Sequence, residues 1–410
     1  MKIRVQKFGG TSVATPELRA RVVHHIRKAL AEDYQVVVVV SAMGRKGEPY
    51  ATDTLLGLSE AYSQSLGSRE KDLLMSCGEI ISATTLSSIL SHHEIKNTVL
   101  TGGQAGIITN NQHANAQIIT INPKRVQTEL EHGRVVIVTG FQGQTTDGEV
   151  TTLGRGGSDT SATALGVALN ADCVDIFTDV EGIMTADPRI VEDAAPLATV
   201  TYTEMCNLAF QGAKVIHPRA VEIAMQTNVP IRVRSTLSDD LGTLVTNMGE
   251  TDRLAGEVKD LPIIGITQMP NVTQIKIPVR QGHFDSQLLV FKAMAEHGIS
   301  VDFINVNPSE IAYTVNDHAG EQAKQILLDL NLEPELLPNC AKVSTVGAGI
   351  AGVPGVMAKI TEALTEEDIQ LLQSADSHTT IWVLVKGEDM IKAVRALHQK
   401  FDLHQLSYHI

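Results

Sequence analysis

The sequence predicts an α/β fold in its first half and two small α+β modules in its second half. In the first half, short runs rich in β-branched residues alternate with helical patterns, which is typical of a mainly parallel sheet covered by helices on both faces. In the second half, one hydrophobic pattern returns at a fixed interval, which indicates a tandem repeat. A chain of 410 residues has room for two or three such domains.

Six runs are predicted to form the strands of the first sheet. They cover residues 3–8, 36–40, 99–101, 135–139, 174–178 and 231–235. Between the first two runs, Thr15 is placed to cap a helix and Pro16 occupies its first turn. The apolar residues that follow recur at helical spacing, so this helix is expected to cover the sheet.

Four segments follow from these patterns. Residues 1–237 form the predicted first domain, and the polar, glycine-containing stretch 238–262 is predicted to be a linker. Two repeats, 263–338 and 339–410, come next, because Ala293, Ile299 and Ile311 have apolar counterparts 70 positions later. Each repeat has the size and order of a βαββαβ module.

Composition excludes several classes of function. The net charge is −14 and no block of like charge stands out, which argues against a nucleic-acid or acidic-membrane partner. The purest apolar run has five residues, so neither a signal peptide nor a membrane span is expected. Cys77, Cys173, Cys206 and Cys340 are widely spaced, which favours reduced thiols in a cytoplasm over disulfides or a zinc site.

Two glycine clusters are candidates for binding anions. Residues 7–12 (KFGGTS) end the first strand, so their backbone amides and Lys7 could meet a phosphate, although a simple tight turn has the same composition. Residues 154–162 (GRGGSDTSA) open an apolar helix, where Ser158 or Asp159 could serve as a structural cap. A cap does not explain Arg155, whose planar fork suits a carboxylate. The sequence has no P-loop motif, and the GxGxxG match at 347–352 leaves too few residues for a dinucleotide fold.

Two further segments carry charged residues after predicted elements. Residues 178–189 follow a buried strand and contain acids that suit a ribose, a purine edge or Mg²⁺, with a solvated acidic loop as the alternative. Lys214 lies in a GAK sequence and adds a second lysine, for which a plain surface position is the alternative. His217 precedes a proline and is interpreted as structural.

Together these motifs resemble those of the bacterial monofunctional aspartokinases, over essentially the whole chain. The shared segments are KFGGTS (7–12), SCGE (76–79), GRGGSDTS (154–161), TDVEG (178–182), ADPR (186–189) and GAK (212–214). The repeats resemble paired ACT domains, the amino-acid-sensing modules of that family. The resemblance implies an amino-acid-kinase-type three-layer fold and phosphorylation of L-aspartate by ATP with Mg²⁺ carried on the nucleotide, the first step of the lysine, threonine and methionine pathway.

The resemblance also implies roles for individual residues. Lys7, Asp159 and Lys214 are expected to be catalytic, with no protein-held metal. ATP is expected to contact Lys7, Phe8, Gly9, Gly10, Thr178, Asp179, Met184, Thr185, Ala186, Asp187, Pro188, Arg189 and Lys214. Aspartate is expected to contact Ser41, Thr52, Glu79, Arg155, Ser158 and Asp159.

The regulatory half departs from the family pattern in both repeats. The first repeat has Gly282, His283, Phe284 and Asp285 where proline and glycine usually stand, and the second reads LQSADSHTT at 372–380. The loop residues Asp285, Ser286 and Gln287, with Asp302, are expected to hold the ammonium of a dibasic effector. The pattern is most similar to the diaminopimelate-sensitive isozyme, with lysine and threonine as the other candidate effectors.

Two alternative functions stay open at this point. One is another carboxylate kinase of the same superfamily, acting on glutamate or N-acetylglutamate, which the pairing of Arg155 with Glu79 disfavours. The other is a non-catalytic amino-acid sensor, which the retention of both lysines and both glycine loops disfavours. Because ACT modules commonly complete their sheets against another chain, a homodimer or larger homo-oligomer is expected.

Overall fold

The computed structural model describes residues 2–60, 66–213, 215–247, 263–279, 285–350 and 352–406, without the side chains of Glu60 and Asp285. The first unit is built from twelve strands and seven helices. The strands are β1 (Ile3–Phe8), β2 (Gln35–Val40), β3 (Asn97–Leu100), β4 (Ile107–Thr109), β5 (Ile118–Ile121), β6 (Val135–Thr139), β7 (Gln142–Gln144), β8 (Val150–Thr152), β9 (Cys173–Thr178), β10 (Thr199–Thr201), β11 (Ile231–Ser235) and β12 (Thr243–Thr246). The helices are α1 (Pro16–Ala31), α2 (Thr52–Glu60), α3 (Ser68–His92), α4 (Lys124–Glu131), α5 (Gly157–Leu169), α6 (Tyr202–Phe210) and α7 (Pro218–Thr227).

An eight-stranded sheet forms the centre of this unit, in the order β10-β12-β11-β9-β1-β2-β6-β3. Its neighbouring strands are parallel except for β11 and β12, which are antiparallel. All six predicted strands are therefore confirmed, and so is the predicted α/β class. A smaller sheet, in the order β5-β4-β7-β8, lies beside the central one and was not predicted.

Helices cover both faces of the central sheet, which makes the unit three layers thick. The valines of β2 show why, because Val37 and Val39 pack in one hydrophobic cluster and Val36, Val38 and Val40 pack in another. The first cluster includes residues of α4, α5, α6 and α7, and the second includes residues of α1 and α3. A continuous apolar strand is the pattern that a sheet buried on both faces requires.

The predicted linker needs a correction. Residues 243–246 form β12, which pairs with β10 and β11 inside the central sheet. Thr243 is fully buried, and its hydroxyl donates to the Leu197 carbonyl while accepting from the Ile183 amide. Threonines that are satisfied in this way make a buried strand look polar in sequence. The rest of the predicted linker, from 248 to 262, lies outside the described residues.

Among the residues that the structure describes, α3 is the one helix long and apolar enough to cross a membrane by length and composition. The helix packs against β3 and β6 and contributes Ala83, Leu86 and Leu90 to the core under the sheet. It also buries two carboxylates, those of Asp72 and Glu79. A core helix of a globular protein passes the same compositional test.

The second unit contains one continuous antiparallel sheet of six strands in the order β14-β15-β13-β16-β18-β17. Its strands are β13 (Gly265–Pro278), β14 (Asp302–Val306), β15 (Glu310–Asn316), β16 (Glu335–Val346), β17 (Gln373–Asp376) and β18 (Thr380–Lys386). Its helices are α8 (Asp285–Glu296), α9 (Asp317–Asp329), α10 (Val356–Glu366) and α11 (Met390–Lys400). Strands β15 and β18 begin and end 70 residues apart, in agreement with the predicted interval.

The two repeats of the second unit share their longest strands. The second half of β13, residues 272–278, pairs with β15, whereas its first half, residues 265–269, pairs only with residues 342–346 of β16. Ile263 and Ile266 accordingly pack with α10 and α11, in the core of the second repeat. The predicted start of the first repeat at 263 is therefore displaced, because the chain before residue 270 belongs to the sheet of the second repeat.

Candidate active site

A cleft of about 240 Å³ opens at the carboxyl end of β1. It brings together seven residues that the sequence placed in the site. They are Lys7, Ser41, Thr52, Glu79, Arg155, Ser158 and Asp159. These residues come from β1, the turn after β2, α2, α3 and the start of α5, so five separate elements meet there.

Two glycines allow the backbone segments of this cleft to approach closely. A Cβ atom on Gly10 would lie 2.5 Å from the Ala42 carbonyl oxygen, so only glycine lets the loop after β1 contact the turn after β2. Gly156 has φ +72°, and a Cβ atom there would lie 2.2 Å from the His217 ring. Side chains other than glycine are disfavoured at such positive φ values.

The N-terminus of α5 points its first backbone amides at the cleft. Gly156 precedes the helix, and no side chain caps its first turn. Ser158 and Asp159 lie in that turn and are nearly buried. An uncapped helix N-terminus is a favourable position for an anion, because free N–H groups and the helix dipole both point there.

Lys7 and Asp159 join β1 to α5. The Lys7 Nζ lies 2.7 Å from Asp159 Oδ1, and both side chains are largely buried. Asp159 Oδ2 accepts a hydrogen bond of 3.3 Å from the His217 amide. The imidazole of His217 in turn caps α7 by accepting from the Arg219 amide at 3.3 Å, so the structural interpretation of His217 is correct.

Glu79 is a buried carboxylate with one free oxygen. The residue is 2% exposed, and its Oε1 accepts from the Ala42 amide at 3.0 Å. Its Oε2 has no hydrogen-bond partner among the described residues. Burial raises the pKa of Glu79 to about 8, and the Ala42 hydrogen bond opposes that rise. The carboxylate is therefore placed to receive a positively charged group that enters the cleft.

Arg155 is a cation without an ion pair among the described residues. It is exposed, in the loop between β8 and α5, and it lines the same cleft as Glu79. Arg219 fixes the course of this loop, because its guanidinium donates to the carbonyls of Leu153 at 3.0 Å and Ala116 at 3.1 Å. Sequence reasoning missed Arg219, because an arginine that donates hydrogen bonds to backbone carbonyls is not marked by any sequence motif.

Residues 178–189 do not all face one site. Asp179 is exposed and pairs with Arg45 across the opening between two loops, with 3.0 Å between Oδ2 and the guanidinium. Asp187 accepts two hydrogen bonds from the exposed Arg189 side chain, which is the main cause that lowers the pKa of Asp187. Met184, half-buried, pairs with Pro196 in an isolated bridge, and Pro188 is exposed.

Three residues that were predicted to contact the nucleotide have side chains that are buried elsewhere in the structure. Phe8 is fully buried, and its ring stacks on Phe177 with centroids 4.5 Å apart, so its side chain is held in the core. Its carbonyl accepts a hydrogen bond from the Ser41 amide at 3.1 Å. Thr185 is fully buried, and its hydroxyl lies 2.9 Å from His398 Nε2 on α11. Ala186 packs in the core of the second regulatory repeat. Packing against a distant part of the chain decides these orientations.

The remaining predicted contacts can be placed in part. Thr178 ends β9 and holds the turn after β11, because its carbonyl accepts from the Thr236 amide at 3.0 Å. Gly9 and Gly10 follow β1 directly. Lys214 lies outside the described residues. The lining of the cleft also includes Phe141, Gly154, Gly156 and Gly157, which were not predicted as contacts, although three of them belong to the glycine motif.

In the regulatory part, Asp302 begins β14 and is paired with Lys342 of β16. Sequence reasoning missed Lys342, whose side chain is 5% exposed. Ser286 and Gln287 are half-buried near the start of α8. The side chain of Asp285, like residues 280–284, lies outside the described residues.

Comparison with known families defines the class of protein. The family model for amino acid kinases matches residues 2–235, and a model of an ACT domain matches residues 335–399. A kinase unit of this family thus precedes a regulatory unit, as the strand order and the repeat indicate.

Individual relatives narrow the class. Aspartokinase 1 of Bacillus subtilis is 58% identical over 403 residues, which cover 98% of this chain and 100% of that protein. The structure of Escherichia coli aspartokinase III in complex with aspartate and ADP has a TM-score of 0.79 at 26% identity, with 97% and 99% of the two chains covered. The same enzyme with lysine and aspartate gives a TM-score of 0.75 at 25% identity. The chain belongs to the aspartokinases, which confirms the family that the motifs indicated and disfavours both alternative functions.

The pKa of Glu79 makes a testable prediction for the parent enzyme. The value of kcat/KM for aspartate should rise as pH increases through about 8, because only ionised Glu79 attracts an ammonium group. Glu79→Gln should lower kcat/KM and remove this rise. Initial rates of ADP release between pH 6.5 and 8.5 would measure both effects.

Glu70→Gln is the matched control, since Glu70 lies on the same helix but is exposed and paired with Arg69. It should keep the parental profile. If kcat/KM for aspartate in the parent enzyme did not change across this pH range, a role for ionised Glu79 in binding aspartate would be contradicted.

Proposed function

We propose that the cleft binds L-aspartate and the phosphates of ATP side by side, and that the residues lining it transfer the γ-phosphoryl group to the β-carboxylate of aspartate. The observation that carries this assignment is the free, buried oxygen of Glu79 in a cleft that also contains Lys7 and Arg155. Glu79 offers a negative charge for an ammonium, Arg155 offers a positive charge for a carboxylate, and Lys7 offers a positive charge for phosphate.

Aspartate is held by its charged groups in this proposal. Glu79 takes the ammonium, because its unpartnered oxygen would otherwise stay buried without a hydrogen bond. Arg155 takes the α-carboxylate through a bidentate contact, for which its free guanidinium is suited. The hydroxyls of Ser41, Thr52 and Ser158 complete the lining with neutral donors.

The phosphates lie across the loop after β1 and the N-terminus of α5. Gly9 and Gly10 supply backbone amides, Lys7 supplies a full charge, and the uncapped start of α5 adds further N–H groups. Lys7 is positioned by Asp159, whose carboxylate keeps the lysine extended over the loop. Thr178, Asp179, Met184 and residues 187–189 contact the ribose and base, whereas Thr185 and Ala186 are excluded by their packing. The second lysine of the predicted set, Lys214, adds a charge to the phosphates.

Mg²⁺ fits this site as an ion carried by the nucleotide. Of the two carboxylates that line the cleft, Glu79 is assigned to the ammonium, so Asp159 is the one protein ligand that is placed near the phosphates. Phosphate oxygens with one carboxylate suit Mg²⁺, which keeps several of its waters. When bound, the ion neutralises charge that develops on the phosphate oxygens.

The reaction requires no general base. A free aspartate side chain has a pKa of about 3.9, so its β-carboxylate is already ionised at neutral pH. A carboxylate oxygen forms a bond to the γ-phosphorus, the bond to the bridging oxygen of ADP breaks, and 4-phospho-L-aspartate and ADP result. The barrier comes from bringing two anions together, which Lys7 and the amides of the α5 N-terminus offset.

Replacement of Lys7 tests the phosphate assignment. Lys7→Ala should lower kcat roughly 100- to 1,000-fold, because a charge aimed at the transferring group is lost. Lys96→Ala, an exposed lysine outside the cleft, is the control and should keep the parental rate. Aspartate-dependent ADP release is the measurement, and a parental rate in Lys7→Ala would refute the assignment.

Replacement of Arg155 tests the aspartate assignment. Arg155→Ala should raise the KM for aspartate roughly 10- to 100-fold with little change in the KM for ATP, because one charged hydrogen-bonding group is lost. Arg155→Lys should recover only part of the affinity, since an ammonium does not reproduce the bidentate fork. A rise confined to the KM for ATP would indicate that Arg155 contacts the nucleotide instead of aspartate.

The regulatory unit is proposed to bind a dibasic amino acid, diaminopimelate or lysine, with threonine as the further candidate. Asp302, Ser286, Gln287 and Asp285 form the proposed site. Since Asp302 is paired with Lys342, an incoming ammonium would replace an existing cation rather than fill an empty position. The exchange would reach the kinase unit through contacts such as Thr185 with His398 and Asn207 with Thr379.

Inhibition assays distinguish the effectors. We expect meso-diaminopimelate to inhibit aspartate-dependent ADP release more strongly than lysine or threonine at equal concentration. Asp302→Asn should raise the inhibitory concentration roughly tenfold. Asp329→Asn, on the exposed side of α9, is the control. A lack of response to diaminopimelate would exclude it as the effector.

We further propose that the enzyme works in the cytoplasm as a homodimer or larger homo-oligomer. The four cysteines are free in the structure, as reduced thiols in such a compartment would be. The edge strand β14 exposes Ile304 and Val306, so a second copy could extend the regulatory sheet there.

A further inference from the structure

A second cavity of about 70 Å³ lies between α1 and the central sheet of the kinase unit. Its lining shares no residue with the cleft and includes none of the residues assigned above to aspartate or ATP. The residues that matter here are Arg4, Gln6, His25, Lys28, Arg232 and Arg234. Since one water needs only about 10–15 Å³ of such space, the cavity has room for a small polyatomic ion.

The walls of this cavity are positively charged. Arg4, Lys28, Arg232 and Arg234 all line it, whereas Glu32 is the one carboxylate in its lining. Such a concentration of cations is a local exception in a chain whose net charge is −14. Within the cavity lining, therefore, cations outnumber carboxylates.

The neighbouring carboxylates offset these four cations only in part, although Asp175 attracts Arg4, Arg232 and Arg234. Glu32 accepts from the Arg4 guanidinium at 3.1 Å but is itself 43% exposed. Asp175 is fully buried beside the wall, with Oδ2 at 3.8 Å from Arg4 Nε. Asp239 is engaged by His24 and Arg21 at its side chain.

Two arginine donors in the lining have no hydrogen-bond partner. Among the described residues, the Nε atoms of Arg4 and Arg234 are buried without a hydrogen bond. Arg234 is 4% exposed, and burial lowers its pKa. Attraction to Asp175 opposes this effect, and repulsion from Arg232 and Arg4 adds to it. Unsatisfied donors on crowded, buried cations are the arrangement that an anion would relieve.

His25 adds a neutral donor or acceptor rather than another charge. Its Nε2 lies 2.9 Å from the Thr236 carbonyl oxygen, and burial lowers the pKa of His25 to about 4. At neutral pH the ring is uncharged. The positive character of the cavity therefore comes from the arginines and Lys28.

We propose that this cavity is a binding site for a small oxyanion of the phosphate or sulfate type. The anion accepts hydrogen bonds from Arg4, Arg232 and Arg234, and Lys28 at the exposed end of the cavity adds a further charge. The volume admits the oxyanion group itself, so a larger phosphorylated compound would leave the rest of the molecule in solvent.

Calorimetric titration of the full-length protein with inorganic phosphate tests the proposal. The protein is first saturated with ADP, Mg²⁺ and aspartate, so that the cleft is filled, and ionic strength is held constant. We expect saturable binding that sulfate competes with and that acetate at equal concentration does not. In Lys7→Ala this binding should persist, because the cleft is not its site.

Variants of residues that line the cavity test whether phosphate binds there. Arg232→Gln should weaken phosphate binding at least tenfold, whereas Arg134→Gln, an exposed arginine outside the cavity, should bind as the parent does. If Arg232→Gln shows a lowered unfolding midpoint without phosphate, Lys28→Gln on the exposed side of α1 takes its place, with a weaker but measurable loss.

Three results would overturn the proposal. The first is the absence of saturable binding in the protein with a filled cleft. The second is binding that disappears in Lys7→Ala but survives in Arg232→Gln and Lys28→Gln, which would assign the anion to the cleft. The third is an equal loss in Arg134→Gln, which would indicate non-specific attraction to surface cations.

Discussion

The arrangement of the cleft depends on one buried carboxylate that the protein leaves half satisfied. Glu79 sits on a long helix, inside the protein, with a single hydrogen bond from the Ala42 amide. An ionised carboxylate in such surroundings is unfavourable unless a cation joins it. Because no described side chain bonds the free oxygen, we propose that the ammonium of the substrate supplies that cation.

The elements around Glu79 serve to place this carboxylate and the phosphate loop side by side. The close approach at Gly10 brings the turn after β2 onto the loop after β1, and that same turn provides the Ala42 amide. The Lys7 and Asp159 pair then fixes α5 against β1. The same group of loops therefore positions the residues proposed to bind the amino acid and those proposed to bind the phosphates.

Much of the kinase fold could be predicted because its signal is local. The unbroken valines of β2 predict a strand buried on both faces, and the glycine motifs mark the end of β1 and the start of α5. Long-range packing leaves no such local signal in the sequence. Strand β12 lies in a stretch whose sequence is polar, and β13 and β16 are each shared by two repeats. The Thr185 side chain contacts His398, which is more than 200 residues away in the chain.

Proton release on binding of aspartate tests the central claim most directly. With the pKa of free Glu79 at about 8, the side chain is mostly protonated at pH 7, and an ammonium beside it should drive the proton off. Calorimetry in buffers of different ionisation enthalpy should therefore detect release of nearly one proton per bound aspartate, and Glu79→Gln should release none. Equal proton release by the parent and by Glu79→Gln, or no release by the parent, would contradict the account.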